Sequence, residues 1–397
     1  MNIPGDIIKL VDIERLYTHV RNLEGERHPI TNPEGLRKAQ EYISTELRRY
    51  GVRVQSHTFT VDGYSGQFQN VEGVLGDATL PSAALLNHYD TFYGTTGAND
   101  NAVAVAIALE AARILATLPD PPTVRFLSFT LEEENPAFQK KLFDLAHDLG
   151  LVDERRRYTS NKISQVLQIH DSMARARWQP GLSMGSVNAH VTKEINDQLT
   201  PQLKEYLDFQ ADLYCNVTFL PGTFGHLGSW KWMDDAIANG KLIKYGICMD
   251  EVGRTIKGEG HQVLPPGFPL QLAKMYRVDP ERLLADWAFL VSNGPADLVG
   301  NVFCEYCRAK EVDLPYLLMH IPMDYEGIKA NFPQTLGSDY SALWRENIPA
   351  LALFDSAGWR TPYFGHTYED TIEKLDFDQI GKLTKATLAT LMDPRLS

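Results

Sequence analysis

Apolar and polar positions change their period several times along this chain, and each change predicts an element. Residues 5–22 and 33–50 repeat apolar positions at helical spacing. Asn32 stands where a cap belongs, Pro33 suits a first turn and Gly51 follows the end. "VRVQSHTFTV" (52–61) then alternates like a half-buried strand. "FQNVEGVL" and "SAALLNHYD" read as further strands. Residues 101–117 are apolar on nearly every side, which predicts a helix buried against a sheet, and Pro119, Pro121 and Pro122 stop it. "TVRFLSFTL" (123–131) is apolar on both faces and therefore a central strand.

The texture changes after residue 134. Residues 137–220 are mostly polar-helical, as in "FQKKLFDLAHDLG", "NKISQVLQIHDSMARAR" and "PQLKEYLDFQADLY". Strands return with "KLIKYGICMD" (241–250), "LPYLLMHIP" and "IPALALFD", and a helix over 376–393 closes the chain. Residues 281–303 read as one helix leading into "CEYC". The expected fold class is α/β: a mixed, mostly parallel central sheet sandwiched by helices. A single catalytic domain, 1–135 and 223–397, is interrupted by a helical insertion at 136–222. Two domains in series would not leave half a sheet on either side. Within the insertion Leu142, Leu145, Leu149 and Leu151 recur at helical spacing and need a covering surface, so a cap over the cleft or a pairing of two chains is expected.

Composition narrows the partners. Hydrophobic residues are 44% of the 397 and charged residues 22%, ordinary for a chain with a real core. A net charge of −13 argues against a nucleic-acid partner. No apolar run is long enough to span a bilayer, and the first twenty residues lack an apolar signal segment, so a cytoplasmic setting is expected. The four cysteines are too few for a disulfide framework; Cys304 and Cys307 have redox spacing but read as inert thiols.

The chemistry lies at strand ends. His88 and Asp90 end one strand, and Asp100 precedes the buried helix. Glu132, Glu133 and Glu134 end the central strand, Asp250 ends another, and His366 follows the last by a loop. Ligands of open α/β sheets bind beyond the carboxyl ends of the strands. Singly, each residue has a plain structural reading: Asp100 caps a helix, and the Glu run starts one. Together, two imidazoles and several carboxylates without a thiol suit zinc, cobalt or manganese. His88, Asp100, Glu133, Asp250 and His366 satisfy a pair of ions sharing one carboxylate, and an acid beside a ligand can act as general base.

At "NHYD", "GANDN", "FLSFTLEEE", "GICMDEVG", "GSDYSALWRENIPALALF" and "GHTYEDT" the chain resembles the M28 zinc peptidases, the aminopeptidase and glutamate-carboxypeptidase type, over about 30–134 and 224–395. The resemblance implies that Asp100 bridges two zinc ions, with a cis peptide to Asn101. His88 and Asp250 would hold one ion, and Glu133 and His366 the other. Asp90 would orient His88, and Glu132 would be the general base, with Glu133 the base if the register shifts by one. The implied activity is hydrolysis of an N-terminal peptide bond or a small amide by metal-activated water. A single-zinc acyltransferase of the glutaminyl-cyclase type, a carboxypeptidase or amidohydrolase of the same fold, and a non-catalytic binding member stay open. Two departures stand out. The family's "GLLGS"-like turn appears only as "HLGS" (226–229). "GSDY" replaces Ser-Asp-His, and Thr335 stands where some members have a tyrosine that polarises the tetrahedral intermediate. Tyr340 or a residue of the insertion is the candidate substitute. His147, His170 and His226 match no motif and read as structural.

Overall fold

The computed structural model describes residues 6–154, 158–179, 181–218, 221–264, 268–356, 359–360 and 364–396. Helices α1 (Ile13–Leu23) and α2 (Pro33–Arg49) come first, and Asn32 caps α2 by accepting from Gly35 N. Strands β1 (Arg53–Thr60), β2 (Gln67–Leu75) and β3 (Ser82–His88) follow, then α3 (Val103–Leu115) and β4 (Val124–Phe129). Four helices stand next: α4 (Pro136–Asp148), α5 (Asn161–Arg177), α6 (Met184–Glu194) and α7 (Pro201–Leu213). Then come α8 (Leu227–Ala238), β5 (Ile243–Met249), β6 (Lys274–Tyr276), β7 (Ala288–Asn293), α9 (Asp297–Cys307), β8 (Tyr316–Ile321), α10 (Tyr325–Asn331), α11 (Tyr340–Arg345), β9 (Ala350–Phe354) and α12 (Phe377–Leu391).

The strands form one sheet in the order β1-β2-β4-β3-β5-β9-β7-β8-β6. Its centre, β4-β3-β5-β9, is parallel throughout, while β1, β2, β6 and the β7–β9 pairing are antiparallel. Side chains of a strand alternate between faces, and the two cores follow that rule. Leu85, Phe126, Ile247 and Met249 pack on one face against α1, α2, α3, α9 and α12. Ala84, Leu86, Leu127 and Cys248 pack on the other against α8, α10 and α11. Of α3 only Arg113 is not buried, as its all-round apolar pattern requires. Each fully buried Val, Ile or Leu there stabilises by about 1.5–3 kcal/mol. The expected mixed sandwich is therefore the observed one.

One expectation fails. Residues 281–303 are not one helix: Ala288–Asn293 is strand β7, Gly294–Ala296 is a short 3-10 turn, and the α-helix begins only at Asp297. The run "WAFLVSN" (287–293) is buried throughout, and such a run has no period that separates strand from helix. Cys304 and Cys307 are buried free thiols at the end of α9, as read. Helices α4 to α7 make a core of their own, in which Leu142 and Leu151 are buried and Leu145 and Leu149 partly so, so the leucine stripe is covered within that segment. Among the described residues no helix is long and apolar enough to cross a membrane.

Candidate metal centre

The carboxyl ends of the four parallel strands share one edge of the sheet, and that edge gathers the residues singled out above. β3 delivers His88 in its last position. β5 runs directly into Asp250, whose N–H donates to Leu353 O of β9 at 3.0 Å. After β4 the chain turns at Leu131, with φ of 56°, and presents Glu132 and Glu133. The loop between β3 and α3 carries Asp100, and the peptide Asp100–Asn101 is cis. His366 comes from the loop between β9 and α12, its ring stacked on Phe92 at 4.6 Å.

Two groups of donors result. His88, Asp100 and Asp250 form one, and Asp100, Glu133 and His366 the other; in each, one donor atom per residue lies within 4.8 Å of the rest. Asp100 serves both with different oxygens. Its Oδ1 is 3.2 Å from His88 Nε2 and its Oδ2 is 3.2 Å from His366 Nε2. His88 Nε2 also lies 3.2 Å from Asp250 Oδ1, and His366 Nε2 lies 3.0 Å from Glu133 Oε2.

Surrounding bonds hold these donors in place. Asp90 accepts from the N–H groups of Glu132 and Glu133 at 3.3 Å each, and its Oδ1 is 3.5 Å from His88 Nδ1. Glu133 Oε1 accepts from Phe92 N at 2.9 Å, which leaves Oε2 to face His366. Asp370 accepts from Asn99 N at 2.7 Å and Asp100 N at 3.0 Å. Asn101 Nδ2 donates to Met249 O at 2.9 Å, tying the Asp100 loop to the end of β5.

Charge is unbalanced here. Asp90, Asp100, Glu132, Glu133 and Asp250 outnumber the two imidazoles. Burial alone would lower His88 and His366, but the carboxylates outweigh it and hold both well above the ordinary imidazole value. Burial, joined by the neighbouring acids, raises Glu132 and Glu133. Asp100 goes the other way: burial opposes ionisation, but the hydrogen bonds of His366 and His88 prevail and lower it. A buried anionic surplus calls for a compensating cation. The oxygen and imidazole donors, already converged in two sets around one shared carboxylate, fit a pair of divalent ions.

Two contributions were not anticipated. His226, read as structural, places Nε2 3.0 Å from Glu132 Oε1. It adopts φ of 58° before α8, whose start is fixed to the end of β4 by His226 N to Glu132 O at 2.7 Å and Leu227 N to Leu131 O at 2.8 Å. The signal lay two residues on: a Cβ at Gly228 would meet Thr130 O at 2.1 Å, so only glycine lets the helix approach. Asp370 is the second, inside the "GHTYEDT" stretch. Tyr340, in contrast, is buried and donates its hydroxyl to the Thr335 carbonyl, so that hydroxyl is engaged away from Glu132.

Residues 70–204 match the model of peptidase family M28, a stretch that takes in His88, Asp100, Glu132 and Glu133 and ends before Asp250 and His366. It also runs through α4 to α6, where the sequence reading set an insertion. An uncharacterized protein of Escherichia coli (strain K12), YfbL, is 32% identical over 130 residues, which are 30% of this chain and 40% of that protein. By structure the chain is similar to the LapA aminopeptidase of Legionella pneumophila, with a TM-score of 0.56 and 11% identity over 98% of this chain and 73% of that one. It is also similar to a glutaminyl cyclase of Porphyromonas gingivalis, with a TM-score of 0.53 and 15% identity over 96% and 98%. The resemblance read from the strand-end motifs is thus shown: the chain matches peptidase family M28 over residues 70–204 and carries the metallopeptidase-like fold along nearly its whole length.

Proposed function

We propose that this chain is a two-metal hydrolase that cleaves the N-terminal bond of a peptide or a small amide. The observation that carries the reading is the division of Asp100, one oxygen toward His88 and the other toward His366. His88 and Asp250 would hold one ion and Glu133 and His366 the other, with zinc first among the metals and cobalt or manganese suiting the same donors. When bound, such ions supply Lewis acidity to a substrate carbonyl and lower the pKa of water toward neutrality. The chain's own groups do the rest. Glu132 has Oε1 held by His226, and its Oε2 is turned toward His88 Nε2 at 3.9 Å. That oxygen takes the proton of the attacking water and returns it to the leaving amine. His226 is a positioning residue: it fixes the direction in which Glu132 offers its free oxygen. Asp90 holds both halves together, since it meets His88 and the backbone of the Glu pair. The free thiols keep a cytoplasmic setting as our reading.

A single-zinc acyltransferase is the second reading, favoured by the fold shared with the Porphyromonas protein titled a glutaminyl cyclase. Metal content per chain, with a screen of aminoacyl amides, N-blocked dipeptides and an N-terminal glutaminyl peptide, separates the two. Two ions and amide cleavage are expected. One ion with cyclisation of the glutaminyl peptide would favour the acyltransferase. Asp100→Ala should lose both ions, and a fully loaded, active Asp100→Ala protein would sink the bridge assignment.

A further inference from the structure

Helices α4 to α7 stand over the side of the site formed by Glu133 and His366. Between them and the Phe92–Tyr93 loop lies a cavity of about 510 Å³, and both Glu133 and His366 line it. That size is within the range of about 300–1,000 Å³ of pockets that enclose small ligands. Its walls are strongly aromatic. Tyr93, Phe143, Tyr158, Tyr206 and Tyr214 all face it. Tyr93 meets Phe143 edge-on at 4.4 Å and shares a hydrogen bond with the Tyr158 hydroxyl, so the scaffold loop and the helical segment are joined across the cavity.

Besides Glu133, two acids interrupt this wall, Glu134 and Asp171. Glu134 follows the Glu132–Glu133 pair and lines the cavity beside Glu133. Its Oε2 accepts from Gln139 Nε2. Gln139 Oε1 in turn lies 2.9 Å from His28 Nε2. His28 Nδ1 accepts from Ile30 N at 3.3 Å and Thr31 N at 3.1 Å, which leaves the ring proton on Nε2. The direction of donation therefore runs from His28 through Gln139 to one oxygen of Glu134, and the carboxylate is held in place before any ligand arrives. No ion pair engages Glu134 among the described residues, and none of the described residues lining the cavity is lysine or arginine.

We propose that this cavity is a pocket for a substrate side chain with an apolar shaft and a cationic head, an ammonium or guanidinium group, as on an N-terminal lysine or arginine. This rests on the reading of the adjoining site as an amide-cleaving centre. The tyrosine faces attract a cation through their quadrupoles. A fixed carboxylate adds a charge-assisted hydrogen bond. An acidic side chain would meet Glu133 and Glu134 as like charges. A purely apolar one would fill the space but strip Glu134 of water without replacing it.

The test compares lysyl and norleucyl p-nitroanilide on the metal-loaded full chain, since the two share a four-carbon side chain and differ only by the ammonium group on its last carbon. The expected kcat/KM ratio is roughly 10–150 in favour of lysine, the range of one hydrogen bond to a charged group. In Glu134→Gln the ratio should fall by about tenfold or more. A wild-type ratio of one or less, with measurable cleavage, overturns the pocket and leaves the hydrolase reading standing. That comparison needs no variant, so it decides even where Glu134→Gln does not fold. Cleavage of neither substrate counts against the hydrolase reading alone. Calorimetric titration with lysinamide and norleucinamide then decides the pocket: tighter lysinamide supports it, and equal or weaker binding overturns it.

Discussion

Asp370→Ala is the sharpest test of how Asp100, the proposed bridge, is held. Asp370 is buried behind the Asp100 loop, where Oδ1 accepts from Asn99 N at 2.7 Å and Oδ2 from Asp100 N at 3.0 Å. Burial pushes its carboxyl up to about 7, the charge of Asp100 adds to this, and the two amides and Arg27 pull against it. Alanine removes both acceptors. It leaves the main-chain carbonyl, which takes the bonds of Ala98 N and Thr96 Oγ1. Two buried N–H groups then lack partners, at about 1–3 kcal/mol each, so the expected loss of stability is about 2–6 kcal/mol. A water entering the vacated space would move the result toward the lower end. Groups that orient metal ligands typically change affinity by about 10–100-fold when removed, so metal should weaken to that degree. Urea denaturation of the metal-free chain reads the first number, and competition with a chelator reads the second. Asp370→Asn keeps an acceptor for one of the two amides and should lose about half as much stability. An alanine variant within about 1 kcal/mol of wild type, with unchanged metal affinity, would refute the reasoning.

Three further outcomes are expected. Glu132→Gln should keep its metal and lose about 10²–10⁴-fold in turnover, whereas Glu133→Gln should lose metal first; exchanged phenotypes would move the base one residue on. Gly228→Ala, whose Cβ would crowd Thr130 O at 2.1 Å, should cost about 1–3 kcal/mol by denaturation and slow turnover by displacing His226, and a neutral result would separate α8 from the site. His19 is buried beside the Tyr42 and Tyr50 hydroxyls, and burial lowers it to about 4 from 6.5, with Glu46 opposing. Its unfolded form therefore takes up a proton below 6.5 that the folded form refuses until about 4. The stability it contributes is full above 6.5 and falls by about 3 kcal/mol toward pH 4. Denaturation of wild type and His19→Gln across that window should show a shallower slope in the variant, and parallel slopes would exclude the assignment.

Which parts of this molecule can be read from the chain depends on the range over which each signal acts. The ligand-type residues were legible because a central parallel strand announces itself by a run apolar on both faces. The residue that ends such a run must lie on one edge of the sheet. His88, Glu132 and Asp250 each follow a run of that kind, and Asp100 sits at the head of a helix as thoroughly apolar as α3. The same logic fails at β7. Six consecutive buried residues present no period of two or of 3.6, and the helical context of α9 dominates the reading.

Residues that hold the ligands are harder to see, because their partners are distant in the chain. His226 is 94 positions from Glu132, and Asp370 is 270 from Asp100. Neither contact leaves a pattern in its own neighbourhood. What such residues do leave is a local oddity that the sheet explains only afterwards. A glycine stands in the first turn of α8 where another residue would collide with the end of β4, and an aspartate four residues past His366 accepts from the distant Asn99 and Asp100 amides. Tyr340 shows the converse: it lies within two residues of a motif serine, yet its hydroxyl is taken by its own turn at Thr335. Proximity in sequence made it a candidate for the tetrahedral intermediate, and burial withdraws that hydroxyl from reach.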